Sequence, residues 1–353
     1  MVLAGPATVS EPRTRGLVMA ATTRSSGVRF LRIIIAASVW AALIWFFVRT
    51  FDGMPTAIHW QQVLTPSALG ALGAFAGLFA AAMWLRTIRW RGLLPKHLRR
   101  RPGMYGVFSW AFLVASIAPF RSGELMRPAW VRRQGGSFME ATGTVISERL
   151  ADLVPLGGML AVAATQAPAA AEIISPRLSP AFSDWIGPAV FALLLISHLA
   201  ITAGATRLGR HRPASGTDNN AAGRIELLLS GLRFAARPMP YVRLMGLTML
   251  IWAGLGLGYA VVFSTLIPGL PWIAGIGALA LANLAGLLWI SPGNVGPYEA
   301  AVTMVLTGYG VAPQEALVAA ITLHTMILIA TCALGLAGRL DMVRRGASPV
   351  GLV

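Results

Sequence analysis

The chain has 353 residues, of which 56% are hydrophobic and only 12% charged, with a mean hydropathy of +0.67. Soluble domains carry about 25% charged residues, so a soluble fold is excluded and an all-α polytopic membrane protein is expected. The formal charge of +16 is almost entirely arginine, with Lys96 the one lysine; membrane loops biased to the cytoplasmic side account for it, and no nucleic-acid partner is expected.

Residues 1–29 form a polar, arginine-dotted tail. The apolar run that follows from Phe30 has no small-residue cleavage site after it, so a cleaved signal peptide is not expected; Met1 and Met19 are both possible starts. Crossing ~30 Å of hydrocarbon takes about 20 apolar residues. Apolar segments fall near 30–48, 67–85, 103–119, 138–165, 186–204, 244–266, 272–290 and 311–337. Arg86, Arg89, Trp90 and Arg91 close the second and read as an interfacial anchor. Cys332, the single cysteine, lies in the last run, where an inert packed thiol is expected and no intrachain disulfide can form. Residues 339–353 read as a cytoplasmic tail.

Charge sets the topology. Apart from Arg49, Arg149 and Arg177, every basic residue lies in 1–32, 86–101, 121–133, 205–243 or 339–353. If all eight segments crossed, 121–133 and 205–243 would lie outside, against the positive-inside rule. If 103–119 and 272–290 instead dip in and return, all five basic stretches are cytoplasmic. Six full spans plus two re-entrant segments are therefore expected in the inner membrane, with both termini in the cytoplasm. Pro119, Ser122 and Gly123 break the first re-entrant segment; Pro292, Gly293, Gly296 and Pro297 break the second. Such backbone is tolerated only where protein or a wet cavity satisfies it.

Two glutamates stand in matched settings, Glu124 after Pro119-Phe-Arg-Ser-Gly and Glu299 after Pro292-Gly-Asn-Val-Gly-Pro-Tyr. They are 175 residues apart, and that offset also pairs Gly135 with Gly310, Glu140-Ala141 with Glu315-Ala316, and Arg149 with His324. An internal duplication is expected within a domain of residues 30–338, with repeats near 30–165 and 186–337. Opposite insertion of the halves makes it a pair of inverted repeats, with a transporter-like site between them.

Glu148, Arg149 and Asp152 share a turn inside an apolar run, where an ionisable group costs about 2.5–3.5 kcal/mol on insertion scales. They demand partners or water, unless the helix submerges only after Asp152. Arg121 and Arg127 flank Glu124; a guanidinium fork suits phosphate, and the turn at Gly123 offers backbone N–H groups. A surface cluster meeting anionic headgroups is the plainer alternative. Glu299 must find Arg149, His324 or a proton. Asn294, between Gly293 and Gly296, is either a headgroup donor or a turn-shaping residue. Neither a zinc-type Cys/His cluster nor a phosphate-binding GxxxxGK[ST] loop occurs, so no metal, cofactor or enzymatic activity is expected.

These motifs resemble the lysylphosphatidylglycerol synthase transmembrane region family, also called flippase-like domain proteins. Pro119-Phe-Arg-Ser-Gly-Glu124-x-x-Arg127, Gly135 and Glu148-Arg149-x-x-Asp152 look like its first-half signature. Ser291-Pro-Gly-Asn-Val-Gly296-x-x-Glu299-Ala and Gly310-Val-x-Pro313-x-Glu315-Ala look like its second. The resemblance covers roughly residues 30–340. It departs at His324, where arginine is common, and at Asn294-Val295, where glycine-rich residues are common; both departures leave the headgroup open. The resemblance implies a lipid flippase that moves an anionic or aminoacylated phospholipid or a glycolipid. A separate lipid-synthesising enzyme is a candidate partner, because the chain shows no synthase domain. A membrane-embedded lipid-modifying transferase and a non-transporting partner of an envelope enzyme are the competing readings.

Overall fold

The computed structural model describes residues 65–167, 180–210, 221–233, 238–287 and 291–345. The expected tail 1–29 and span 30–48 lie outside them, as do residues 346–353. Among the described residues all regular structure is helical: α1 (Pro66–Leu93), α2 (Met104–Ile117), α3 (Met126–Arg133), α4 (Phe138–Gln166), α5 (Pro180–Arg210), α6 (Ala221–Arg233), α7 (Pro238–Leu266), α8 (Trp272–Ala285), α9 (Pro297–Gly308) and α10 (Pro313–Arg344). Tight 3-10 turns occupy Pro119–Leu125 and Pro292–Asn294.

Local chemistry sets the boundaries. The Thr65 hydroxyl accepts the Ala68 N–H at 3.2 Å and Pro66 opens α1. Ser137 caps α4 in the same way through the Glu140 N–H at 3.2 Å. Each fills one of the orphan donors at a helix start. Gly135 and Gly310 take the left-handed conformation just before α4 and α10, with φ of 84° and 86°.

One order of elements occurs twice. A long helix (α1, α7) leads to a 14-residue helix (α2, α8), a 3-10 turn, a short helix (α3, α9), a left-handed glycine and a second long helix (α4, α10). α4 and α10 begin at Phe138 and Pro313, the same 175-residue offset that separates the two glycines. α5 and α6 lie between the two series.

Four described helices contain stretches long and apolar enough to cross a membrane: Pro66–Leu93, Trp185–Ala205, Pro240–Leu266 and Pro313–Arg344. At 1.5 Å per residue, α2 and α8 are only about 21 Å long, short of the ~30 Å hydrocarbon core. α4 has 29 residues but carries Glu148, Arg149 and Asp152 near its middle.

The two series interlock. α2 packs on α10, α8 packs on α4, and α1 packs along α7. Thus each short helix lies against the closing helix of the other half. The α2–α10 crossing needs glycine: a Cβ on Gly106 would lie 2.5 Å from the Gly338 carbonyl oxygen. Small residues at such crossings give the close packing that holds helices together in lipid. The buried core contains Phe75, Phe79, Trp90, Phe108, Tyr259 and Phe263.

Several sequence expectations change here. α1 continues through Arg86, Arg89 and Trp90, and all three are buried, so they are not an interfacial anchor; only Arg91 of that group is exposed. The reason is that Phe75, Phe79, Arg86 and Trp90 recur on one helical face, and that face turns inward. The 205–243 stretch is not a simple loop but contains α6, which packs on α4 where Gly143 meets Gly231. α10 runs on to Arg344, past the expected tail boundary, and Arg339 lies over the Trp110 ring at 4.8 Å. Cys332 is exposed on α10 rather than packed.

Candidate functional site

The four carboxylates singled out by the sequence sort into two clusters. In the first, the Arg127 Nη1 donates to Glu148 Oε2 at 2.5 Å, and Arg89 Nε donates to Glu148 Oε1 at 3.2 Å. Arg89 then forks onto Asp152 at 2.6 and 3.3 Å, while Trp252 Nε1 donates to the same carboxylate at 2.9 Å. Arg149 lies 3.4 Å from Asp152 and 3.0 Å from Glu124. Arg121 Nε closes the chain onto Glu124 at 2.8 Å. Four guanidiniums therefore meet three carboxylates in one continuous network drawn from α1, the first 3-10 turn, α3 and α4.

Burial is graded along this network. Arg89, Arg127, Glu148 and Asp152 are buried, whereas Arg121, Glu124 and Arg149 are partly open. Arg127 also lies over the Phe108 and Trp90 rings at 4.7 and 5.4 Å. Taking one partner from a buried ion pair costs about 3–5 kcal/mol, because the other charge is stranded. The inner half of the network therefore fixes helices to one another.

The second cluster belongs to the other tip. Glu299 Oε2 accepts the Gly296 N–H at 2.6 Å, which caps α9. Its Oε1 lies 2.6 Å from His324 Nδ1, and His324 Nε2 lies 2.9 Å from the Gly293 carbonyl oxygen. A carbonyl only accepts, so Nε2 carries a hydrogen. One further proton then lies between Nδ1 and Oε1, held either as imidazolium with carboxylate or as neutral imidazole with carboxylic acid. Tyr298 stacks on His324 with ring centres 4.1 Å apart, and its hydroxyl donates to the Tyr259 hydroxyl at 2.9 Å.

The two tips converge. Arg121 Nη1 donates to the Gly286 carbonyl oxygen at 3.2 Å, beyond the end of α8. Between them lies a cavity of about 150 Å³ lined by Arg86, Arg121, Asn294 and His324 on its polar side and by aromatic rings including Phe79 and Phe112 elsewhere. Arg121 and Asn294 both hold left-handed backbone, with φ of 50° and 58°. That region is uncommon for residues other than glycine. Gly123 is required for another reason: a Cβ there would lie 2.1 Å from the Ala115 backbone nitrogen on α2.

Arg121, Gly293, Asn294 and His324 line the cavity. Gly123, Glu124, Arg127, Glu148, Arg149, Asp152, Gly296 and Glu299 are not among its lining residues and belong to the ion-pair networks and turns next to them in the chain or by contact. Sequence reading missed Arg86, Arg89, Trp252, Tyr259, Tyr298 and Thr248, whose hydroxyl oxygen accepts from Arg89 Nη1 at 2.9 Å. The α1 residues carried a usable signal, since arginines at 86 and 89 continue the inward stripe of Phe75 and Phe79. Thr248, Trp252 and Tyr259 share the inward side of α7, whose sequence looks like an ordinary span.

Arg86 is the outlier. It is 7% exposed, its Nε has no partner, and it makes no hydrogen bond or ion pair to a described residue. Its guanidinium carbon lies 5.6 Å from the Phe112 ring centre and 5.2 Å from that of Trp252. Cation–π contact of this kind gives about 0.5–2 kcal/mol, against several kcal/mol to desolvate an ion.

A family model described as the lysylphosphatidylglycerol synthase TM region matches residues 30–335. No curated protein matches the chain, and no solved structure does. The match and the apolar helices make this a multi-pass membrane protein related to lipid handling. The chain belongs to the lysylphosphatidylglycerol synthase transmembrane region family.

Proposed function

We propose that this protein is a flippase-type transporter that moves a phospholipid or glycolipid headgroup between leaflets of the cytoplasmic membrane. The observation that carries the reading is a cavity lined by both non-helical tips, Arg121 from the first and Asn294 from the second. A pocket with a cationic side and an aromatic one, placed at the meeting of two repeated units, is the arrangement in which alternating access operates.

On this reading α2 and α8 are re-entrant, since neither is long enough to cross. The two series then enter the membrane in opposite senses as inverted repeats, with both chain termini cytoplasmic. The ion-pair network of Arg89, Arg127, Glu148 and Asp152 holds the first half rigid. The outer pairs, Arg121–Glu124 and Arg149–Glu124, are half-open and exchange partners when a headgroup enters. The proton between His324 and Glu299 is available to the second tip. A separate enzyme supplies the lipid.

Translocation of headgroup-labelled phospholipid in proteoliposomes tests the reading. Wild-type protein should accelerate leaflet exchange, and Glu124→Gln should slow it. No exchange of any native lipid would reject the proposal, and covalent alteration of the lipid by pure protein would replace it with a transferase.

A further inference from the structure

We propose that the cavity is a phosphate site centred on Arg86, and that it selects a lipid whose phosphate charge is left uncompensated over one neutralised by an attached amino acid. The anion site rests on Arg86 itself; its assignment to a lipid rests on the transport reading above.

Arg86 is a buried cation whose guanidinium lies near the Phe112 and Trp252 rings, with no carboxylate within ion-pair distance among the described residues. Buried charges are normally paired and fully hydrogen-bonded. The nearby acids are already engaged: Glu148 and Asp152 with Arg89, Glu124 with Arg121 and Arg149. The described residues lining the cavity include Arg86, Arg121 and His324 but no Asp or Glu. Asp152 and Glu148 act on Arg86 only through space; an anion entering the cavity supplies the direct partner, and the guanidinium fork matches phosphate oxygens.

The same inventory sets specificity. An aminoacylated headgroup brings an ammonium next to its phosphate. That ammonium would need a carboxylate, and the described cavity wall offers guanidiniums instead. The aromatic rings could receive a cation, but with Arg86 and Arg121 beside them the like charges repel. A phosphodiester carrying glycerol or a neutral sugar meets no such penalty. The phosphate could also belong to a free anion, and the two sources separate experimentally.

The test is native mass spectrometry of the full chain in detergent with phosphatidylglycerol, lysyl-phosphatidylglycerol and phosphatidylcholine at equal concentrations. Wild-type protein should retain phosphatidylglycerol about tenfold better than either competitor, a margin that one charge-assisted bond supplies. Arg86→Gln should abolish that preference, Arg86→Lys should keep part of it, and Arg91→Gln, on the exposed side of α1, should leave it intact. Displacement of the lipid by millimolar inorganic phosphate would support the phosphate site with a free anion as its occupant. Equal or better retention of lysyl-phosphatidylglycerol by wild-type protein would overturn the proposal even if Arg86→Gln failed to fold. A folded Arg86→Gln protein with unchanged preference would overturn it as well. Binding is read here without transport, so selective binding with no leaflet exchange would reject only the flippase reading.

Discussion

His324 occupies in the second half the place that Arg149 holds in the first. Arg149 lies 3.0 Å from Glu124, and 175 residues later His324 lies 2.6 Å from Glu299. Each closing helix thus carries a basic group that holds the acid of its own tip. The two pairs differ in one chemical respect: arginine keeps its charge, whereas the histidine pair shares a proton.

That difference is measurable. The Gly293 carbonyl fixes a hydrogen on Nε2 of His324, so nitrogen NMR of labelled histidine should report a protonated Nε2 in the wild-type protein. Glu299→Gln removes the acid on the Nδ1 side but keeps the Gly293 acceptor, so Nε2 should stay protonated. A resonance from the opposite tautomer, protonated only at Nδ1, would contradict the assignment.

The inner ion pairs should dominate stability. Asp152 is buried and accepts from Arg89, Arg149 and Trp252. Asp152→Ala strands those donors and should lower the unfolding free energy by about 3–5 kcal/mol. The exposed Asp341–Arg345 pair at the C-terminal end of α10 is the control; Asp341→Ala should cost no more than about 0.5 kcal/mol. Equilibrium unfolding in mixed micelles distinguishes them, and equal losses would show that the network is not structural.

Two glycines that look alike in sequence should respond differently. Gly123→Ala places a methyl 2.1 Å from the Ala115 nitrogen and 2.5 Å from the Ala111 carbonyl oxygen. Neither backbone atom can move without shifting α2, so the folded yield should collapse. Gly135→Ala meets nothing within 4 Å and bears only the strain of its positive φ, about 1–2 kcal/mol. Size-exclusion profiles and melting of the two variants check the contrast.

Arg121 separates strain from function. Its left-handed backbone favours glycine, while its side chain bridges Glu124 and the Gly286 carbonyl. Arg121→Gly relieves the first and deletes the second. Stability should stay within about 1 kcal/mol, since the lost pair is half-open and the relieved strain is of similar size. Leaflet exchange should nevertheless fall. A variant that transports normally would remove Arg121 from the site.

Much of this arrangement was legible in the sequence. The Pro and Gly positions marked both tips, because proline and left-handed glycine punctuate helices by local sterics. The 175-residue offset joined Glu124 to Glu299 and Arg149 to His324, and each acid lies with the basic residue of its own half. What sequence reading missed was the inward face of α1 and α7. Arginine beside tryptophan at the end of an apolar run has the same local pattern whether it faces lipid headgroups or a protein interior. Packing of α1 against α7, α4 and α2 decides that Arg86 and Arg89 are buried. The helix α6 was hidden for a related reason: its basic, weakly apolar sequence is held by close contact with α4 at Gly143 and Gly231, which no local pattern announces.

The most direct test of a shared headgroup site is photolabelling by a phospholipid with a photoreactive group on its headgroup, followed by peptide mapping. Adducts should concentrate on the segments containing Ser116 and Asn294, one from each half, and should fall in Arg86→Gln. Labelling confined to the exposed outer surface around Leu69 and Trp84, with none at either tip, would contradict a headgroup site between the two halves.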